Sequence, residues 1–358
     1  MERAPAEGLR PYELGYQPAL DGLRGVAVLA VIAFHGWFLD GGFFGVDVFF
    51  VLSGALITMI LAREHGKAGK IDLPRFYKRR LWRLLPAFAF MLVVTYEWVE
   101  RTSNPYGEGI VRKSLIALFY LANIYTAYFA NDAHELEPVG HTWSLATEEQ
   151  FYLLWPTVLP RMLKRPRKQI ITALLVGMLV VGILRAIEWK TGHQRSAYHG
   201  PIERADGLMA GCIVGLLTTW GASKELLAFN RRLVVFSWLV LCCAFVLARP
   251  SLAPVYLGGF TLVNLAAASV VLHVLHEPPR VLQGRALVWI GKVSYSLYLF
   301  NLVVRLVVCP LWDWPWLMLF QVGVTFACAA VTHYAIERPL LRWRDRPVAP
   351  RVVAQGSQ

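Results

Sequence analysis

Arg24 and His35 interrupt an otherwise apolar stretch, LDGLRGVAVLAVIAFH, at a spacing of eleven residues. In a helix that spacing sets the two side chains about 20° apart around the axis and about 16 Å apart along it. One face would then carry a guanidinium at one level and an imidazole three turns away. Such a layout suits a rod-like donor whose charged end meets the arginine while its reactive end reaches the histidine. Imidazole can accept the proton of an attacking hydroxyl near neutral pH, so His35 is the candidate general base. The structural alternatives are a snorkelling anchor for Arg24 and a core histidine satisfied by a carbonyl for His35. Ionisable groups inside an apolar span cost several kcal/mol, which makes both residues functional candidates, with the structural alternatives still open on the residues alone.

Further candidates follow the turn Asp40-Gly41-Gly42. His35 lies six residues before Gly41 and Asp47 six after it. Two antiparallel helices would bring both side chains to one depth, where the Asp47 carboxylate could orient the imidazole. The dipole at the start of the second helix gives Asp47 an equally good structural reason. Arg79 and Arg83 share a helical face at i,i+4, and Arg80 neighbours Arg83 at i,i+3. Their guanidinium forks suit phosphate groups such as those of CoA, although a cytoplasmic loop needs only their charge. His141, Trp143 and Ser144 open a later apolar run that also holds Glu148 and Glu149. Neighbours on a helix point apart, so one of these two carboxylates is expected to face a cavity. Arg204 with Asp206, and Glu337 with Arg338, stand at the ends of other runs, where each pair could be a structural lock. His273, His276 and His333 have weaker cases.

What must position these residues is a set of membrane helices. The chain has 358 residues, 56% hydrophobic and 17% charged, against about a quarter charged in an average soluble domain. Apolar runs fall at about 20–39, 43–62, 82–99, 113–130, 143–160, 169–187, 205–220, 233–248, 254–276, 286–309 and 315–336, lengths that fit a polytopic membrane protein. The net charge of +12 does not imply nucleic acid, because the basic residues sit in short loops beside the runs. Five cysteines without ligand-like spacing argue against a disulfide framework or a metal site. The N-terminus has no apolar core of a cleavable signal.

The basic clusters Arg63–Arg83 and Arg161–Lys168 should both face the cytoplasm, which requires an even number of crossings between them. Three runs lie there, so one does not cross. The run 113–130 is the best suspect, with Asn123, several aromatics and the acidic stretch that follows it. The expectation is an all-α fold of about ten transmembrane helices plus one re-entrant or interfacial segment, with both termini cytoplasmic. The loops Asp40–Gly42, Arg249–Ala253 and Pro310–Pro315 fall outside. So does the longer Trp189–Ile202, which could cap an acceptor site.

The opening LDGLRGVAVLAVIAFH, followed by GGFFGVDVFFVLSGALIT, resembles the acyltransferase family 3 membrane proteins. FYKRRLWRLLPA, HTWSLATEEQFYLLWP, IERADGLMAGCIVG, VSYSLYLF and IERPLLR continue the resemblance in order through nearly the whole chain. It implies an O-acyltransferase of the bacterial inner membrane, moving an acyl group, by default acetyl, from acyl-CoA to a hydroxyl of a glycan or glycolipid. It implies a cytoplasmic segment 1–17, a membrane-embedded acyltransferase domain 18–340 and a cytoplasmic tail 341–358. Taken with the residue readings above, it gives donor binding by Arg24, Arg79, Arg80 and Arg83, catalysis by His35 with Asp47 as the hypothesis from hairpin geometry, and no metal. Acceptor binding would fall to His141, Trp143, Ser144, Glu149, Arg204 and Asp206, with Glu149 alternatively in a network with a buried arginine. Some relatives add a soluble esterase-like domain; the expectation here is that none follows. Relatives usually place His where this chain has Asn301, which cannot exchange a proton near neutral pH. The competing reading is a multispan transporter or flippase for a lipid-linked glycan, which would predict inverted repeats; none is visible in the sequence.

Overall fold

A computed structural model describes residues 15–36, 38–102, 105–308 and 315–344. Among the described residues every regular element is a helix. α1 (Pro18–His35) opens on a proline, whose fixed φ and missing N–H suit a first helical turn. A tight turn, Gly42–Phe44, leads into α2 (Gly45–Ala68), which stops where Gly69 takes a φ of 68°. After α3 (Leu73–Thr102) come the short α4 (Ile110–Leu118) and α5 (Ala122–Tyr128). Then follow α6 (Trp143–Met162), α7 (Arg167–Lys190), α8 (Gln194–His199), α9 (Ala205–Trp220), α10 (Lys224–Leu247) and α11 (Phe260–His276). The chain closes with α12 (Arg285–Lys292), α13 (Ser294–Val303), α14 (Pro315–Thr332) and α15 (Arg338–Arg344).

Among the described residues, seven helical stretches are long and apolar enough to cross a membrane: α1, Gly42–Ala68, α3, α7, α10, Val255–His276 and Leu319–Arg344. An eighth is a pair, α12 with Ser294–Val307, bent by 68°. The continuous span expected over 286–309 therefore does not form. Its first part carries Arg285 and Lys292 on one side and packs its apolar side on α1, so α12 cannot continue straight into hydrocarbon. Two helices fall outside those criteria: α9 has only 16 residues, and α6, with 20, contains Glu148, Glu149 and Arg161. The count of ten requires both to cross.

The stretch 113–130 is divided between α4 and α5, of 9 and 7 residues, each well short of the roughly 20 that a crossing needs. Tyr120 between them has a φ of 55°, a left-handed conformation that ends one helix before the next begins. The basic stretch ahead of residue 82 is already helical, so Arg79, Arg80 and Arg83 ride on the same helix as the span that follows. Most of the two expected terminal segments and the loop 310–315 lie outside the described residues.

The densest seam joins α2 to α9, and it is made by glycines. A Cβ at Gly54 would stand 2.2 Å from the Leu208 carbonyl oxygen, and one at Gly211 would stand 2.2 Å from that of Val51. Backbones this close leave no room for a side chain, a common device where lipid, being as apolar as leucine, drives no helix association. Outward, α7 and α10 expose Leu179, Val180, Val235 and Phe236, the surface expected of a lipid-facing wall. Gly211→Val should cost at least the 1–3 kcal/mol typical of overpacking. Thermal unfolding of the detergent-solubilised protein would show this as a lowered midpoint or a failure to accumulate.

Candidate active site

Between α1, α2, α3, α6 and α13 lies a cavity of about 200 Å³. Three guanidiniums reach it, from Arg24 on α1 and from Arg80 and Arg83 on α3, together with the carboxylates of Glu148 and Glu149 on α6. Arg80 Nε donates to Glu149 Oε1 at 3.0 Å, and its guanidinium lies 3.0 Å from the Tyr152 ring centroid. Ser53 donates to Glu148 at 2.9 Å. Among the described residues no carboxylate forms an ion pair with Arg24 or Arg83, and Arg24 Nε is buried without a hydrogen-bond partner. The cavity wall thus carries more cation than its anions neutralise, as phosphate recognition requires.

Ser144 and Tyr298 also line the cavity. The Tyr298 hydroxyl donates to the His141 carbonyl at 2.6 Å, and Ser144 Oγ stands 2.5 Å from that hydroxyl. His141 Nε2 is 3.0 Å from the Leu299 carbonyl, to which only an N–H can donate. Its Nδ1 is buried without a well-formed hydrogen bond, with the Pro138 carbonyl near the ring.

Beyond this layer stands His35, the last residue of α1. Its backbone carbonyl accepts from Arg305. His141 and Arg305 are its electrostatic neighbours, and the Asn301 amide approaches its ring without closing a well-aligned bond. His35 Nδ1, too, is buried without a partner. One polar cluster therefore draws on the end of α1, the turn before α6, and α13.

Asp47 is elsewhere. Both its oxygens accept from Arg204 Nη2 at 2.9 Å, so the orienting bond to His35 suggested by the hairpin is not made; a fully buried guanidinium claims the carboxylate first. The Arg204 guanidinium carbon lies 3.8 Å from the Phe260 ring centroid and 5.4 Å from those of Trp143 and Tyr198. Asp206, in turn, is held by Arg185 through two bonds, of 3.0 and 2.8 Å. Arg185 also donates to the Glu203 carbonyl and to Thr261. Arg204 and Asp206 are thus not partners of each other, and neither lines the cavity. Glu337 accepts from Ser296 and sits 2.8 Å from His333 Nδ1, which ties α13 to the end of α14.

Of the residues singled out in the sequence, Arg24, Arg80, Arg83, Ser144 and Glu149 line the cavity. Arg79 does not: it is exposed, and its carbonyl accepts from Arg344 at 3.2 Å. The i,i+3 relation of Arg80 and Arg83 faces the cavity, and the i,i+4 relation with Arg79 does not. Glu148 and Glu149 both line it, because the cavity wraps far enough around α6 to meet adjacent positions. His35, Asp47, His141, Trp143, Arg204 and Asp206 lie off the cavity wall. Arg185 and Arg305 were overlooked, although each is a lone arginine in an apolar run, the same signal that marked Arg24.

Fold and site together define a polytopic helical membrane protein with a cation-lined internal cavity beside a buried imidazole cluster. The chain belongs to acyltransferase family 3, the family described as Acyltransferase domain, which it matches over residues 17–334. It is 36% identical over 307 residues to "O-acetyltransferase OatA" of Staphylococcus aureus (strain NCTC 8325 / PS 47), covering 81% of this chain and 51% of that protein. It is 31% identical over 367 residues to "Putative peptidoglycan O-acetyltransferase YrhL" of Bacillus subtilis (strain 168), covering 94% of this chain and 57% of that one. The chain spans about half the length of the curated relatives it matches. No solved structure matches it.

Removing one member of a buried ion pair strands the other charge, at about 3–5 kcal/mol. Asp47→Asn and Arg204→Met should each destabilise on that scale, and the double variant by clearly less than their sum. A double-mutant cycle of thermal unfolding in detergent measures the coupling; strict additivity would mean the pair contributes nothing.

Proposed function

We propose that the protein is a membrane O-acyltransferase that moves an acetyl group from acetyl-CoA to a hydroxyl of an envelope glycan, of the peptidoglycan type named for its relative. The observation that carries this reading is the cavity whose Arg24 and Arg83 guanidiniums form no ion pair among the described residues, with a Ser144–Tyr298 wall bonded to His141, an electrostatic neighbour of His35. The donor's phosphates meet Arg24, Arg80 and Arg83 from the side where the charge pattern places the cytoplasm, and its thioester points toward His35. Glu149 fixes Arg80, and Arg204 and Asp206 hold the helices in place without touching substrate.

The chemistry balances with the groups present. The acceptor oxygen attacks the thioester carbonyl while His35 removes its proton. Collapse of the tetrahedral intermediate keeps the new C–O bond and breaks C–S, and the departing thiolate takes the proton from His35. Asn301 cannot carry that proton, but its N–H₂ can donate to the carbonyl oxygen as charge develops there. Ser144 and Tyr298 line the donor's path from the cavity toward His35.

The test uses proteoliposomes, labelled acetyl-CoA and peptidoglycan fragments. His35→Ala should lower transfer by about 10²- to 10⁴-fold while leaving donor binding in place. Arg24→Gln and Arg83→Gln should weaken donor binding instead. Full transfer by His35→Ala would remove the base from this scheme, and unchanged donor binding by both arginine variants would remove the donor site.

Asn301→Ala should lower kcat by roughly 10²-fold, the scale of one lost oxyanion donor, with KM for the donor nearly unchanged. Steady-state kinetics separates the two constants, and an effect confined to KM would count against the assignment.

A further inference from the structure

Away from the cavity, a groove of about 380 Å³ runs between α12 and the helical turn His333–Glu337 that follows α14. Arg285, Lys292 and Arg338 bring three permanent cations to it. Its apolar wall is Val288, Trp289 and Tyr334, with Trp289 Nε1 donating to the Tyr334 hydroxyl at 2.9 Å. The nearby carboxylate, Glu337, is turned inward onto Ser296 and His333. Among the described residues none of the three cations is in an ion pair. Arg285 and Arg338, together with Lys292, whose ammonium also meets the Tyr16 ring and the Asp21 charge, make beside the paired aromatics an anion site with one apolar side.

We propose that this groove binds the phosphate of an anionic phospholipid, with an acyl chain lying along α14. The surface of α14 favours a lipid over a free anion. Phe320, Ala327 and Val331 are exposed there and, with Tyr334, recur at helical spacing until the stripe meets Arg338. Val331 is 58% exposed and Phe320 59%. A free phosphate would gain nothing from that stripe. The depth also fits. α12 packs on the first turns of α1, where a Cβ at Gly291 would stand 1.7 Å from the Asp21 carbonyl oxygen. The groove therefore sits at the end of α1 that the charge pattern assigns to the cytoplasm, the leaflet whose anionic headgroups attract basic clusters. A lipid seated there braces the bend at Val293, from which Ser294 and Tyr295 reach the cavity.

Native mass spectrometry of the full chain in mild detergent tests this, with phosphatidylglycerol, phosphatidylcholine and inorganic phosphate as probes. Phosphatidylglycerol should bind more tightly than phosphatidylcholine and should not be displaced by millimolar phosphate. Replacing Arg285, Lys292 and Arg338 together by Gln should weaken phosphatidylglycerol about fivefold per charge. Arg338→Gln alone should weaken it about fivefold, a readout that survives if the triple variant fails to fold. Arg338→Lys should bind as the unaltered chain does, and Val331→Ser should weaken the lipid. Equal binding of the two lipids, or unchanged phosphatidylglycerol binding by Arg338→Gln, overturns the proposal. So does ready displacement by inorganic phosphate, which would define a free-anion site.

Discussion

Two buried guanidiniums, Arg185 and Arg204, each claimed by a buried carboxylate, set the conditions for the rest of the molecule. A charge inside an apolar bundle is tolerable only when it is paired and hydrogen-bonded. Here the pairing crosses between elements: Asp47 on α2 is joined to Arg204 at the start of α9, and Asp206 on α9 is joined to Arg185 on α7. Thr261 on α11 donates to Asp206 and accepts from Arg185. Four helices are thus held by one charge-neutral cluster whose partners must be in register. The glycine seam between α2 and α9 sets the distance, and the ion pairs set the register.

With that half of the bundle held by α9, the cavity can open on the other side of α2. There the helices are irregular. α4 and α5 part at Tyr120, and α12 and α13 part at Val293; the residues brought to the cavity by these interruptions are Tyr120, Ser294 and Tyr295. Continuous helices over 113–130 and 286–309 would have carried those side chains past the cavity on a straight axis. Broken backbone at membrane depth is tolerated where it lines a polar space, and Glu148, Glu149, Arg24 and Arg83 make this space polar.

Much of this was legible before any coordinates. Helical class, the lengths of most runs and the failure of 113–130 to form one long helix all follow from apolar length and from the placement of basic residues. Arg24, Arg80 and Arg83 were legible as cavity residues for the same reason: charge inside or beside an apolar run has few structural excuses. Pairing was not legible. Neighbours in sequence, such as Arg204 and Asp206, invite being read as a pair, yet helical side chains two apart point to different neighbours. Asp47 could be placed at the depth of His35 from the turn between the helices, but nothing local reveals that α9 brings a guanidinium to it. The bend at Val293 was hidden because a run of apolar residues reads alike whether it is one helix or two, and only the cations at Arg285 and Lys292 hinted at an interfacial first part.

The polar groups divide by whether they have partners. Arg80, Arg185 and Arg204 are paired, Glu148 is held by Ser53, and Glu337 by Ser296 and His333. The charges of these arginines are neutralised by the fold itself, although Arg185 Nε and Arg204 Nη1 make no hydrogen bond. Arg24 Nε, the Nδ1 atoms of His35 and His141, and both amide atoms of Asn301 are buried without a well-formed bond. Each such atom costs about 1–3 kcal/mol if nothing satisfies it, and a purely structural role gives no return for keeping three of these residues, His35, His141 and Asn301, within one region. The arrangement is economical if substrate supplies the missing bonds: phosphate to Arg24, and a carbonyl and a hydroxyl to Asn301 and His35. On that reading the same low polarity that forces Asp47 and Arg204 together leaves the histidine cluster waiting.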